Sequence, residues 1–200
     1  MDTEQLLIET HPLPPFLPPH AQLLMLGSFP PPRERWKMDF YYPNFQNDMW
    51  RIFGCVFFDN RDYFIEAGDK AFKEDLLRAF LWERGIAVSD AAYRVQRLQG
   101  NAADKFLQIV ETVDLAALLQ QMPACHTVMT TGELATETVL SLLPQGTAKP
   151  KVGSYVEAVW AERVLRLCRL PSSSRAYPLA LDKKAAVYRQ FFQEMGWIRG

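Results

Sequence analysis

Between Gln22 and Met195, short apolar runs alternate with stretches whose apolar residues recur at helical spacing, and this alternation constrains the fold more than any other feature. Gln22-Leu23-Leu24-Met25-Leu26 is stopped by Gly27, the pattern of a central strand covered on both faces. Lys70 to Arg84 spaces Phe72, Leu76, Leu77, Phe80 and Leu81 as one helical face and meets Gly85 as a stop. Ile86-Ala87-Val88-Ser89 reads as a second strand running into Asp90, Asp114 to Met122 as a helix, His126 to Thr130 as a third strand, and Gly132 to Leu143 as a further helix. Asp182 to Met195 is an amphipathic helix offering Ala186, Tyr188, Phe191, Phe192 and Met195 to a sheet. Strands separated by helices predict a three-layer α/β/α fold around a central, mainly parallel four-stranded sheet.

The remaining segments are less regular. Pro12, Pro14, Pro15, Pro18 and Pro19 deny residues 1–20 regular hydrogen bonding, so these residues read as a proline-rich arm and residues 21–200 as a single domain. Ser28 to Pro43 is a long loop with three consecutive prolines at its start and Phe40-Tyr41-Tyr42 near its end; loops of that length are usually functional. Asn47 to Phe53 begins a helix with Met49, Trp50 and Phe53 on its apolar face and Asn44 or Asn47 as its cap. Val152 to Leu170 reads as one or two strands, with a helix over Val156 to Leu167 as the open alternative.

Composition narrows the function classes. Two hundred residues, 48% hydrophobic and 22% charged, suffice for one core. No apolar run approaches the roughly 18 to 20 residues needed to cross a bilayer. Met1 to Gln5 lacks the basic start of a secretory signal, so a cytoplasmic location without membrane contact is expected. Cys55, Cys125 and Cys168 are too few and too scattered for a disulfide framework or a four-thiolate cluster, and His11, His20 and His126 show no metal-ligand spacing. Neither a metal nor another cofactor is expected. The net charge of −1 does not advertise a nucleic-acid binder, yet Gln145 to Gly200 carries ten basic residues against four acidic ones.

In open α/β sheets ligands bind beyond the carboxyl ends of the strands. Four such ends carry small or hydroxylated residues: Gly27-Ser28-Phe29-Pro30, Ser89-Asp90, Thr130-Thr131-Gly132 and Pro171-Ser172-Ser173-Ser174. The nucleophile elbow, the phosphate loop and the dinucleotide fingerprint are absent, which argues against serine hydrolases, nucleotide triphosphatases and dinucleotide oxidoreductases.

Leu26-Gly27-Ser28-Phe29-Pro30, then Tyr41-Tyr42 and Asn47-Asp48-Met49-Trp50-Arg51-Ile52, with Leu170-Pro171-Ser172-Ser173-Ser174 near the carboxyl end, resemble motifs of the uracil-DNA glycosylase superfamily. They are most similar to its hypoxanthine-DNA glycosylase branch. Gly85 to Asp90 and Asn101-Ala102-Ala103-Asp104 resemble family segments more weakly, and Thr131-Gly132 stands where Asn-Gly is common. Pro31 replaces the expected glycine, Asp48-Met49 a small-Phe pair, and Arg175 a proline. Leu170 stands where some branches place a histidine, and the first motif lacks the Asp or Asn that other branches use on water.

The resemblance implies hydrolysis of the N-glycosidic bond of a deaminated base, uracil or hypoxanthine, without a Schiff base. The partner is DNA carrying a damaged or mismatched base, and a monomer is expected. Asn47 is implied as the residue orienting water, with a helix cap as its other reading. Gly27, Ser28, Phe29, Tyr42 and Ser173 are implied in base binding, where Tyr42 or Phe29 supplies the aromatic face and either can equally be core. Ser172, with Ser173, would donate to carbonyl oxygens of the departing base. Ser174, Arg175 and Lys183 are implied in DNA contact, which would give the basic carboxyl-terminal stretch a use. The alternatives are a non-catalytic binder of nucleobases, nucleotides or damaged DNA, and a hydrolase of free nucleosides.

Overall fold

The computed structural model describes residues 7–99 and 103–200. The elements are β1 (Ile8–Thr10), β2 (Leu23–Gly27), α1 (Met49–Phe58), α2 (Glu74–Arg84), β3 (Ile86–Asp90), β4 (Ala92–Arg97), β5 (Leu107–Thr112), α3 (Leu115–Gln120), β6 (Thr127–Thr131), α4 (Glu133–Leu142), β7 (Ser154–Trp160), β8 (Arg163–Leu170) and α5 (Leu181–Glu194).

Five strands form the main sheet in the order β3-β2-β6-β8-β7. The first four are parallel, and β7 joins antiparallel to β8. The fold is therefore the expected helix-flanked, mainly parallel sheet, with five strands rather than four. The additional strand comes from Val152 to Leu170, which forms a hairpin and not a helix. Ala161 and Glu162, at φ 47° and 65°, turn the chain between β7 and β8 in the left-handed region that two-residue hairpin turns require.

Burial along β2 is complete, and its period of two divides the interior. Leu23 and Met25 pack with Trp50, Phe53, Leu77 and Phe192 from α1, α2 and α5. Leu24 and Leu26 pack with Leu118 and Leu119 from α3 and Ala135 and Val139 from α4. Two helical faces differ from the sequence reading. Leu76 is exposed to 39% on α2, and α5 buries Lys184 and Ala185 with Tyr188, Phe191 and Phe192 while Ala186 faces solvent.

A second, three-stranded antiparallel sheet, in the order β1-β4-β5, was not visible in the sequence. Its strands are short and half-polar, so the apolar runs that mark buried strands are missing. Val95 and Leu107 on its inner face pack with Phe29. Within the proline-rich segment, Ile8–Thr10 pairs with β4 and so departs from the expected lack of regular hydrogen bonding, because this stretch precedes the first proline. Further along, Phe16 exchanges two 2.9 Å backbone hydrogen bonds with Val88 of β3. Among the described residues, no helix is long and apolar enough to cross a membrane.

Candidate functional site

The four strand ends singled out in the sequence converge. β2, β3, β6 and β8 are parallel neighbours, so Gly27, Asp90, Thr131 and Leu170 reach the same edge of the sheet, and a cavity of about 860 Å³ opens there. Gly27, Ser28, Phe29, Tyr42, Asn47, Ser172, Ser173 and Ser174 all line it.

Gly27 is required by the space behind it. A Cβ there would lie 2.6 Å from Asp90 Oδ1 and 3.0 Å from the Tyr42 hydroxyl, so any side chain would displace one of them. Tyr42 itself occupies the left-handed region at φ 53°, a conformation costly for a bulky residue. Its hydroxyl shares a 2.9 Å hydrogen bond with Thr131 Oγ1, and its ring meets Trp50 edge-on at 5.6 Å. Burial, followed by the nearby Asp90 charge, raises the phenol pKa well above its ordinary value, so Tyr42 stays protonated.

Phe29 lines the cavity but is otherwise packed into the core beneath the second sheet. Its ring meets His11 edge-on at 5.2 Å and carries the Arg97 guanidinium at 5.5 Å. Tyr42 is thus the half-buried of the two aromatic candidates. Ser28 donates to Asp104 Oδ1 at 2.5 Å. Burial raises the Asp104 pKa, the Ser28 hydrogen bond opposes that shift, and the Asp90 charge adds to it.

The capping position of α1 is Asp48, whose side chain makes no capping hydrogen bond, and not Asn44 or Asn47 as the sequence suggests. Asn47 stands one residue earlier, where its Oδ1 accepts the Met49 backbone N–H at 2.9 Å in a side-chain turn, so that oxygen is already engaged. Ser172 Oγ accepts the Ser174 N–H at 3.2 Å, and Ser174 Oγ accepts that of Ala176 at 3.2 Å, which folds the last motif into consecutive side-chain-held turns. Gly132, at φ 102°, starts α4 where an added Cβ would touch Ser172 Cβ at 3.4 Å.

Arg175 and Lys183 do not line the cavity. Arg175 is half-exposed beside it and donates to Asp48 Oδ1 at 3.2 Å; Lys183 is exposed on α5. Part of the basic carboxyl-terminal stretch is engaged within the fold. Arg163 donates to the Cys125 and Met122 carbonyls, Arg166 pairs with Glu157, and Arg189 pairs with Asp59.

Three features of the site escaped the sequence. His11 reaches in from the proline-rich segment to place Nε2 2.8 Å from Asp90 Oδ2, with both side chains nearly inaccessible. Ser28 and Asp104 meet across 76 positions of chain. Lys184 is fully buried, with Nζ 3.1 Å from Asp48 Oδ2 and 2.8 Å from the Ser174 carbonyl, while the Asp48 N–H donates to the Ser173 carbonyl at 3.0 Å. This clip fastens the start of α1 to the last motif. A lysine one turn before Tyr188 on the buried face of α5 was the available sequence signal. Of Asn101-Ala102-Ala103-Asp104, the first two lie outside the described residues.

No protein-family model matches the chain, and no curated protein matches it. Among solved structures, it is similar to the solution NMR structure of a Methanosarcina acetivorans protein described as a "putative Uracil DNA glycosylase". The TM-score is 0.60 at 23% identity, over 92% of this chain and 98% of that one. At that identity the likeness is one of fold: the chain has a uracil-DNA glycosylase-like architecture.

Proposed function

We propose that this chain is a monofunctional DNA glycosylase that hydrolyses the N-glycosidic bond of a deaminated base, uracil or hypoxanthine. The observation that carries the reading is the convergence of Gly27-Ser28-Phe29-Pro30 and Leu170 to Ser174 on one cavity, at the carboxyl edge of a glycosylase-like sheet. A base swung out of the DNA stack meets an aromatic face at Tyr42. Backbone N–H groups after Gly27 and the hydroxyls of Ser172 and Ser173 serve as donors to its carbonyl oxygens as negative charge builds there. Arg175, beside the cavity, and Lys183 on α5 contact the DNA backbone. Oligonucleotides bearing a single uracil, hypoxanthine, xanthine or thymine mismatch test this directly. Abasic product is expected from uracil or hypoxanthine; folded protein that releases neither base refutes the reading.

One observation favours the non-catalytic alternative. The Asn47 oxygen that would orient water instead accepts the Met49 N–H just ahead of α1. A binder retains affinity for the modified oligonucleotide and yields no abasic product at any enzyme concentration. The Asn47→Ala variant adds a second readout. Loss of turnover with retained binding assigns Asn47 to the reaction, whereas a purely structural hydrogen bond costs about 1 kcal/mol of stability and leaves turnover in place.

A further inference from the structure

Hydrolysis at the sugar carbon needs an acceptor for a proton of the attacking water. In the cavity, the side-chain carbonyl and carboxylate oxygens belong to Asn44, Asn47, Asp90, Asp104, Glu133 and Glu137. Most of them are engaged. Asn44 Oδ1 accepts the Gln46 N–H at 3.0 Å, and Asn47 Oδ1 accepts that of Met49. Asp90 has Oδ2 on His11, and its Oδ1 is packed against Gly27. Glu133 and Glu137 sit at the exposed rim and share the Lys149 ammonium at 2.6 and 2.9 Å. That pairing lowers the Glu133 pKa and makes it a poor proton acceptor.

Asp104 differs from the rest. Ser28 fixes its Oδ1, while its Oδ2 makes no hydrogen bond among the described residues and lies 3.9 Å from where a Cβ of Gly132 would stand, beside Ser172. It is a half-buried, oriented carboxylate with one oxygen facing the cavity. We propose that Asp104 is the catalytic proton acceptor of this site, its free Oδ2 receiving a proton from the water that attacks the sugar carbon while Ser28 holds the other oxygen. The inference rests on the glycosylase reading. In the step, a water O–H bond breaks and its proton passes to Asp104 as the oxygen bonds to the sugar carbon. The carbon–nitrogen bond breaks, its electron pair leaves with the base, and Asp104 returns the proton to the base or to solvent. Burial supports the role, because a carboxylate whose pKa is raised binds a proton more strongly.

Single-turnover cleavage of a uracil- or hypoxanthine-containing oligonucleotide tests this with wild type, Asp104→Asn and Ser28→Ala, each checked for folding by circular dichroism. Asp104→Asn is expected to slow cleavage by about 100-fold or more with binding of the same oligonucleotide retained. It should also flatten the acid limb of the pH–rate profile. Asp90, which is paired with His11, and Tyr42 lie near enough to interact with Asp104, and Lys105 adjoins it in sequence, so loss of the limb in this variant is what assigns it to Asp104. Ser28→Ala is expected to move the limb to higher pH, because the hydrogen bond it removes holds the Asp104 pKa down. Wild-type cleavage by Asp104→Asn overturns the proposal, as does an unmoved limb in Ser28→Ala, which decides the matter if Asp104→Asn does not fold. Absence of product with wild type overturns the glycosylase reading and this proposal with it.

Discussion

Lys184 is buried to 0% exposure, and the stability of its surroundings depends on the charge it meets there. Removing one member of a buried ion pair strands the other charge without solvent. Lys184→Met is expected to lower unfolding stability by about 3 kcal/mol in urea titrations, with Arg175 still beside Asp48. Adding Asp48→Asn should restore part of the loss, since the stranded carboxylate is gone. A single variant as stable as wild type would remove the clip from the energetics. Asp104 carries the opposite sign. Its pKa is raised in the folded protein, so folding favours its protonated form, and ionisation costs stability as pH rises from its ordinary value of 3.8 through the raised one. Asp104→Asn is therefore expected to melt higher than wild type at neutral pH, with the difference vanishing below about pH 3.8. An equal melting temperature at neutral pH would show that the carboxylate is not desolvated. At this scale the sequence revealed residues whose neighbours in the chain explain them. Asn47 before an apolar helix and Gly27 after an apolar strand are local signals, and Lys184 on the apolar face of α5 is a fainter one; the partners of His11, Asp104 and Lys184 are 79, 76 and 136 positions away, and no local pattern names them.

Elements were legible in proportion to their burial. β2, β3 and β6 are buried along their whole length and stand out as apolar runs. β4 and β5 each bury few positions, and β1 is three residues long, so pairing between distant segments creates that sheet without a run to announce it. The β7–β8 hairpin was ambiguous because its turn lacks the usual signal. Ala161 and Glu162 both adopt left-handed backbone, where asparagine and glycine are preferred. Ala161→Asn with Glu162→Gly is accordingly expected to stabilise the fold by about 1 kcal/mol or more in thermal or denaturant unfolding. No gain would mean that the turn is not of this type in solution. Because this hairpin ends in Leu170, it also sets where Pro171 to Ser174 leave the sheet, so element and site are linked through β8.

Across the whole molecule, the charge pattern separates the base pocket from its approach. Asp90, Asp104, Glu133 and Glu137 line the cavity against Lys105 and Arg169, a lining suited to an uncharged base and not to phosphates. Under the glycosylase reading, backbone contacts belong outside the cavity, where Arg175 and Lys183 lie. With two phosphate contacts, the logarithm of affinity for duplex DNA should fall against that of salt with a slope of about −2, and Arg175→Ala should reduce its magnitude by about 1. An unchanged slope would take Arg175 off the phosphates. The sequence by itself determined the parallel α/β core and the residues at the four strand ends, because apolar periodicity and strand-terminating glycines are local consequences of burial. Tertiary structure alone decided that those ends share one cavity, that the proline-rich segment sends His11 behind it, and that Asp104 rather than Asn47 offers it a free oxygen. Those outcomes depend on strand order and on contacts between distant segments, which no local pattern of side chains encodes.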